Sequence, residues 1–145
     1  MKSVKILILL MLAMFGNVYA QTESAILGAW ESDKKDVRIE IFKHGDKYYG
    51  KYLWGKEIVE SDGVTSKKDV KNPDEKLRSR NLIGITSLTG LKWEGKEYVD
   101  GKIYNAPSGD TYKCKIWIKN DKLYLRGYLG FSLLGQTATF HRYRQ

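Results

Sequence analysis

Tyrosine and tryptophan side chains recur on the β-like segments of this sequence, and they are the residues best suited to bind a small molecule. The tyrosine side chain combines an apolar ring with a hydroxyl group, which suits a cavity that holds an amphipathic ligand. We predict the walls of such a cavity at Tyr52, Trp54, Tyr104 and Tyr112. The alternative is that these rings only fill a core, because the interior of a small barrel is either just filled by side chains or holds one small ligand.

Three arginines are candidates for recognising an anionic group on that ligand. A guanidinium group binds a carboxylate or a phosphate through paired hydrogen bonds. Arg78 and Arg80 follow a predicted short helix and are expected at one rim of the fold, while Arg126 lies either at that rim or towards solvent. The competing interpretation is that Arg78 and Arg80 only complement the dipole at the end of the helix.

Catalytic and metal-binding chemistry finds little support in the sequence. The two histidines, His44 and His141, stand far apart, and no His-x-His or Cys-x-x-Cys spacing occurs. The single cysteine, Cys114, falls on an apolar strand face, which favours a buried and unreactive thiol. No Gly-x-Ser-x-Gly motif marks a nucleophile. We therefore expect no catalytic residue, no metal and no cofactor, and we do not expect an enzyme.

The elements that would position these residues are β-strands. Val37, Ile39 and Ile41 alternate with Arg38 and Glu40, the period of two that is typical of a strand with one buried face.

The clearest hairpin lies near the C-terminus. Tyr112, Cys114, Ile116 and Ile118 point one way and Lys113, Lys115 and Lys119 the other. Asn120-Asp121 supplies a turn because both residues tolerate a positive φ.

Further strands are predicted along the rest of the chain. The candidates are Leu27–Glu31, Lys47–Trp54, Leu82–Leu88 and Gln136–Tyr143, together with runs that end at Trp93 and begin at Glu97. On the strand from Lys47, we place Tyr48, Tyr52 and Trp54 on one face, without deciding whether that face points inward. Eight or nine short strands joined mostly by turns predict an all-β fold, a sandwich or a closed antiparallel barrel.

One polar segment, Ser61 to Arg80, interrupts the strand pattern. Within it, Asn72 is typical of an N-cap and Pro73 of a first helical residue, and Asp74 and Glu75 follow in the first turn. This order predicts one short helix of about two turns that must dock on the rest of the fold.

The first twenty residues have the features of a secretory signal peptide. Lys2 and Lys5 precede an apolar run of ten residues, Ile6 to Phe15, and Val18-Tyr19-Ala20 fits a cleavage site. The run is short for a membrane span, which needs roughly 20 residues. We predict a signal peptide over 1–20, a single domain over 21–145 with no transmembrane segment, and a periplasmic or secreted protein.

The net charge indicates which classes of partner this protein is expected to bind. Removing Lys2 and Lys5 lowers the formal charge from +8 to +6, and a basic surface suits anionic lipid headgroups or an acidic ligand. Nucleic acid is not expected as a partner of an exported protein. The alternative is that the charge serves only solubility, since a net charge of this size is ordinary for a small domain.

A rival hypothesis is a filled barrel that binds another macromolecule, as an inhibitor or an envelope accessory protein would. One predicted strand face carries Lys113, Lys115, Trp117 and Lys119, and an exposed tryptophan there is a candidate hot spot for binding.

A set of short segments gives a more specific indication. They are Asn72-Pro73-Asp74, Leu77-Arg78-Ser79-Arg80, Leu82-Ile83-Gly84, Gly101-Lys102-Ile103-Tyr104, Ser108-Gly109, Thr111-Tyr112, Arg126-Gly127-Tyr128-Leu129-Gly130 and Phe131-Ser132-Leu133-Leu134-Gly135. With Gly28-x-Trp30 and Arg142, they make the chain resemble DUF2147, a family of small exported bacterial proteins. The resemblance implies a lipocalin-like barrel in which Arg142 packs across the Trp30 indole, and it implies no established activity. The chain departs from the family pattern at Gln136 and Phe140, where arginine and tryptophan are more typical.

Overall fold

The computed structural model describes residues 22–128 and 135–144, and in these residues eight antiparallel strands close into one barrel. The strands are β1 (Gly28–Ser32), β2 (Val37–His44), β3 (Lys47–Gly55), β4 (Thr86–Trp93), β5 (Tyr98–Asn105), β6 (Asp110–Lys119), β7 (Lys122–Tyr128) and β8 (Gln136–Arg142). Each strand pairs with the next, and β8 pairs with β1. The predicted all-β barrel is confirmed.

The turn chemistry of the β6–β7 hairpin is also as predicted. Asn120 and Asp121 have φ values of 52° and 60°, the left-handed conformation that a two-residue hairpin turn requires. Cys114 pairs with Gly127 and Ile116 with Leu125 across the two strands, so the apolar faces of both strands point into the barrel.

One end of the barrel is closed by Trp30 and Arg142, which face each other across β1 and β8. The indole is 1% exposed, and its Nε1 donates a hydrogen bond to the Ile26 carbonyl at 2.8 Å. The guanidinium carbon of Arg142 lies 4.0 Å from the ring centroid, and its nitrogens donate to the carbonyls of Ala25 and Leu27. The expected packing of arginine across the indole is confirmed.

Large side chains fill the interior next to this closed end. Tyr48, Leu91, Tyr98, Ile116 and Leu123 are all at most 1% exposed. The Tyr48 and Tyr98 rings meet edge to face with centroids 5.2 Å apart, an arrangement that aromatic pairs favour. Any internal space must therefore lie towards the opposite end of the barrel.

The predicted strand Leu82–Leu88 is wrong in its first half. Leu82 is buried but lies in the loop before β4, where its N–H donates to the Lys67 carbonyl. Gly84 adopts a φ of 88°, which breaks an extended strand, so β4 begins only at Thr86.

The predicted helix is shorter than expected. The segment forms a single 3₁₀ turn, Glu75–Leu77, capped by Asp74 rather than Asn72. None of its residues is buried, and a helix with no apolar face to dock gains too little to extend. A second 3₁₀ turn, Glu23–Ile26, precedes β1.

The predicted signal peptide, residues 1–20, and the segment 129–134 lie outside the described residues. In the described part of the chain, no helix has the length and apolar character to cross a bilayer.

Candidate functional site

A cavity of about 600 Å³ occupies the open end of the barrel. Its apolar lining includes Val37, Ile103, Leu125, Ala138, Phe140 and the tyrosines Tyr52, Tyr104, Tyr112 and Tyr128. Its polar lining includes Ser32, Lys34, Asp36, Asn105, Gln136, Thr137 and Thr139. Three of the four predicted wall residues are thus brought together. The two positions at which the chain departs from the family pattern, Gln136 and Phe140, also face this space.

Tyr52 and Tyr104 are linked at the cavity wall. The Tyr52 hydroxyl donates to the Tyr104 carbonyl at 3.0 Å. Tyr52 is 8% exposed, and burial raises the pKa of its phenol. Both rings therefore present neutral, fixed surfaces at neutral pH.

Trp54 does not line the cavity, because β3 carries an extra residue between it and Tyr52. In the pairing with β2, Ile39 faces Tyr52 and Arg38 faces Trp54, so the alternation shifts at this point. Such a bulge turns the following side chain to the other face. Trp54 lies outside the barrel, with its Nε1 donating to the Gly63 carbonyl and the Arg38 guanidinium 5.0 Å from its ring. The expectation that Trp54 shares a face with Tyr52 is wrong.

A buried carboxylate, Asp69, joins the long β3–β4 loop to the barrel. It is 1% exposed and accepts hydrogen bonds from the Tyr104 hydroxyl at 2.6 Å and from Nδ2 of Asn72 at 2.8 Å. Nε and Nη2 of Arg80 each lie 2.9 Å from its Oδ2. The loop is therefore fixed to β5 by one fully satisfied acid.

Protonation of this cluster follows from its contacts. Burial alone would raise the pKa of Asp69, but hydrogen bonds from Tyr104, Asn72 and Arg80 and the charge of Arg80 outweigh it, so this pKa lies below its usual value. Burial and the neighbouring Asp69 raise the pKa of Tyr104 to about 12. The acid is therefore ionised and the phenol neutral over the physiological range.

The two loop arginines hold the loop rather than face the cavity. Arg80 is paired with Asp69, and Nε of Arg78 donates to the Asn72 carbonyl at 2.8 Å. Arg126, on β7, donates from Nη1 to the Thr137 hydroxyl at 3.0 Å across the β7–β8 pair. None of the three lines the cavity, and the structure does not gather them into one anion site.

Asp69 is the residue that sequence reasoning missed. It stands in a polar segment without a repeating pattern, and its partners Arg80 and Tyr104 lie 11 and 35 positions further along the chain. The one sequence signal was indirect: the segments containing Asn72, Arg80 and Tyr104 were all among those that carry the family resemblance.

Cys114 and His141, two residues whose side chains could do chemistry, both lie in structural surroundings. Cys114 is fully buried, and burial raises its pKa to about 12, so its thiol stays protonated. His141 lies between Glu31 and Asp33 on the outer surface of the barrel. Within the described residues, no three histidine, cysteine or acidic side chains gather as a metal site.

The outer face of β6 and β7 carries an aromatic pair. Trp117 and Tyr124 stack with centroids 5.3 Å apart and planes at 5°, and Nζ of Lys115 lies 5.5 Å from the indole. Trp117 is therefore only partly exposed, because a neighbouring ring covers one side of it.

Comparisons with known proteins agree with this architecture. The sequence matches the family described as "Uncharacterized protein conserved in bacteria (DUF2147)" over residues 28–142. The chain is similar in structure to protein HP1028 from the human pathogen Helicobacter pylori, described as belonging to the lipocalin family. The TM-score is 0.72, with 28% identity, over 82% of this chain and 83% of that chain. Comparison with curated proteins gives no match. The barrel is therefore lipocalin-like.

Proposed function

The chain belongs to the DUF2147 family of bacterial proteins, and from its lipocalin-like barrel and open cavity we propose that it binds a small, largely apolar ligand. The observation that carries the proposal is the cavity of about 600 Å³ at the barrel mouth. This volume falls within the roughly 300 to 1,000 Å³ typical of ligand pockets.

The lining of the cavity supports an amphipathic ligand. Ile103, Leu125 and Phe140 offer apolar surface, while Ser32, Asn105 and Gln136 add polar groups to the lining. A few polar groups in a mainly apolar pocket orient a ligand without excluding its hydrocarbon part.

A substitution at Gly127 tests the proposal, because this residue lines the cavity without filling it. A Cβ there would meet nothing nearer than Ile103 Cγ2 at 3.8 Å, so Gly127→Phe adds a ring to the cavity with little strain at its base. The matched control is Thr111→Phe on β6, an exposed position that neighbours Tyr112 but does not line the cavity.

Binding of the neutral fluorescent probe N-phenyl-1-naphthylamine provides the measurement. We expect the wild-type protein and Thr111→Phe to bind the probe and Gly127→Phe to bind it at least tenfold more weakly. If Gly127→Phe binds as tightly as the wild type, the probe occupies another place and the assignment of the cavity fails. If no variant binds, the barrel does not act as a receptor for apolar molecules.

The rival role as an interaction module rests on the outer face of β6 and β7. The stacked pair of Trp117 and Tyr124 beside Lys115 is a flat basic aromatic surface, and such residues often dominate protein interfaces. Crosslinking of the protein in its native envelope distinguishes this role. A captured partner that is lost in Trp117→Ala, together with failed probe binding, would favour the interaction module.

Export is part of the proposed function. The charged and apolar segments of residues 1–20 are those of a signal peptide, and we propose a periplasmic or secreted location. The mass of the protein from the host's extracellular or periplasmic fraction tests this. A chain beginning at Gln21 is expected, and a cytosolic chain that keeps Met1 would contradict it.

A further inference from the structure

A second groove adjoins the mouth of the barrel and is rich in lysine. It has a volume of about 1010 Å³ and lies between the β1–β2 turn, the β3–β4 loop and the β5–β6 turn. Of the described residues that line it, six are lysines: Lys34, Lys35, Lys56, Lys67, Lys68 and Lys71. We call it the lysine groove.

The acidic residues of the groove do not balance this charge. Asp36 and Glu57 are the two carboxylates in its described lining. Asp36 accepts a hydrogen bond from the Ser32 hydroxyl at 2.6 Å, and neither acid forms an ion pair with a described residue. The groove therefore keeps an excess of positive charge.

Four of the lysines are also available to a ligand. Lys34, Lys35, Lys56 and Lys71 form no ion pair or side-chain hydrogen bond within the described residues, unlike Lys115, which is paired with Glu97. Like charges brought together without counter-ions repel one another, and an anion that enters between them relieves that repulsion.

The lysine groove and the cavity lie side by side. Lys34, Asp36, Val37 and Tyr52 line both spaces. A molecule with its hydrocarbon part against Tyr52 at the barrel mouth therefore has its polar end beside Lys34, at the edge of the groove.

We propose that the ligand of this barrel is an anionic amphiphile whose tail occupies the cavity and whose carboxylate or phosphate lies in the lysine groove. This inference rests on the proposed function and specifies its ligand class. In this assignment the groove lysines bind the anion in place of Arg78 and Arg80. The guanidinium groups of these two arginines instead hold the β3–β4 loop. The groove volume of about 1010 Å³ leaves space for a headgroup larger than a single carboxylate.

Calorimetric titration of the protein, purified after expression of the full chain, tests the proposal with matched amphiphiles. Laurate, dodecyl phosphate and uncharged dodecanol share one tail and differ in their heads, and inorganic phosphate tests the head alone. The groove variant combines Lys35→Gln, Lys56→Gln and Lys71→Gln, three positions that line the groove but not the cavity. The control variant combines Lys92→Gln, Lys96→Gln and Lys102→Gln, which removes the same charge from exposed positions on the β4–β5 hairpin.

We expect the groove variant to bind laurate and dodecyl phosphate about tenfold more weakly, since each of three exposed charge pairs contributes a few-fold in affinity. Dodecanol binding should not change, and the control variant should behave as the wild type. A larger loss for dodecyl phosphate than for laurate would identify a phosphate headgroup as the preferred anion. Measurable binding of inorganic phosphate alone, without the tail adding affinity, would identify a free anion instead and overturn the amphiphile.

Two further results would contradict the proposal, and they are distinguishable. If laurate and dodecanol both bind and the groove variant weakens neither, the cavity functions but the lysines do not recognise the headgroup. If none of the three amphiphiles binds, the proposed function itself fails and this inference fails with it.

Discussion

The Tyr104 hydroxyl lies 2.6 Å from Oδ1 of the buried carboxylate Asp69 and donates a hydrogen bond to it. This contact connects a barrel strand, β5, to the β3–β4 loop, and the opposite end of the Tyr104 residue, its carbonyl, accepts from Tyr52. The wall of the cavity and the loop beside it are thus one hydrogen-bonded unit. Loss of any member should loosen both.

The first prediction concerns Asp69 itself. Asp69→Asn keeps the shape but removes the charge that compensates Arg80, and breaking a buried ion pair is strongly destabilising. Because the Arg80 side chain is 35% exposed, water screens part of the loss, and we expect a decrease of about 2 to 4 kcal/mol in the free energy of unfolding. Urea denaturation measures it.

The control for this variant is Asp46→Asn, an exposed acid in the β2–β3 turn. It should change stability by less than about 0.5 kcal/mol. Equal small effects of the two substitutions would show that the Asp69 cluster does not hold the loop.

The lowered pKa of Asp69 predicts that the free energy of unfolding depends on pH. Its pKa in the folded protein lies below the ordinary value of 3.8, so the folded state binds fewer protons than the unfolded state there. The stability that Asp69 supplies is complete above pH 4 to 5 and is lost as the pH falls through the folded pKa. The difference in unfolding free energy between the wild type and Asp69→Asn should therefore shrink below about pH 4. A difference that stays constant down to pH 2 would contradict the assigned protonation.

A third prediction separates the two roles of Tyr104. Tyr104→Phe keeps the ring in the cavity wall but removes the hydrogen bond to a charged acceptor, which should cost about 1.5 to 3 kcal/mol. Tyr112→Phe is the matched control, because its hydroxyl is exposed and 3.3 Å from Asp110. Probe binding should survive in both variants. Unchanged stability in Tyr104→Phe would mean that the contact with Asp69 carries no net energy.

The closed end of the barrel gives a fourth prediction. Arg142→Ala removes the stack on Trp30 and the donors to two carbonyls, and we expect a loss of about 1 to 3 kcal/mol. Arg142→Lys should recover less than half of it, because an ammonium group cannot stack as a plane. Arg144→Ala, at an exposed neighbouring position, should be neutral. Thermal denaturation compares the three, and full recovery by lysine would argue against stacking.

Much of the barrel could be predicted because its information is local. The alternation from Val37 to Ile41 and the turn at Asn120-Asp121 depend on residues that lie within a few positions of one another, and both are confirmed. The boundary error at Leu82–Leu88 is local as well, since Gly84 breaks the strand. A glycine within an apolar run does not by itself show which conformation it adopts.

The site could be predicted only in part, because its decisive contacts are long-range. Tyr52, Tyr104 and Tyr112 were found from strand position and residue type. Trp54 was misplaced because a bulge, which has no reliable sequence signal, shifts the alternation of β3.

The lysine groove was not foreseen for a similar reason. Its lysines are spread from position 34 to position 71 and meet only when the β3–β4 loop folds against the β1–β2 turn. In the sequence, they are indistinguishable from lysines on any solvated surface.

Native mass spectrometry of the protein purified gently from its own host is the most direct test of a ligand in the cavity. We expect a reproducible adduct on the wild-type protein that disappears on denaturation and is absent from Gly127→Phe, with Thr111→Phe as the control that retains it. A ligand-free mass for the wild type, or an adduct that Gly127→Phe retains in full, would contradict a ligand in the cavity.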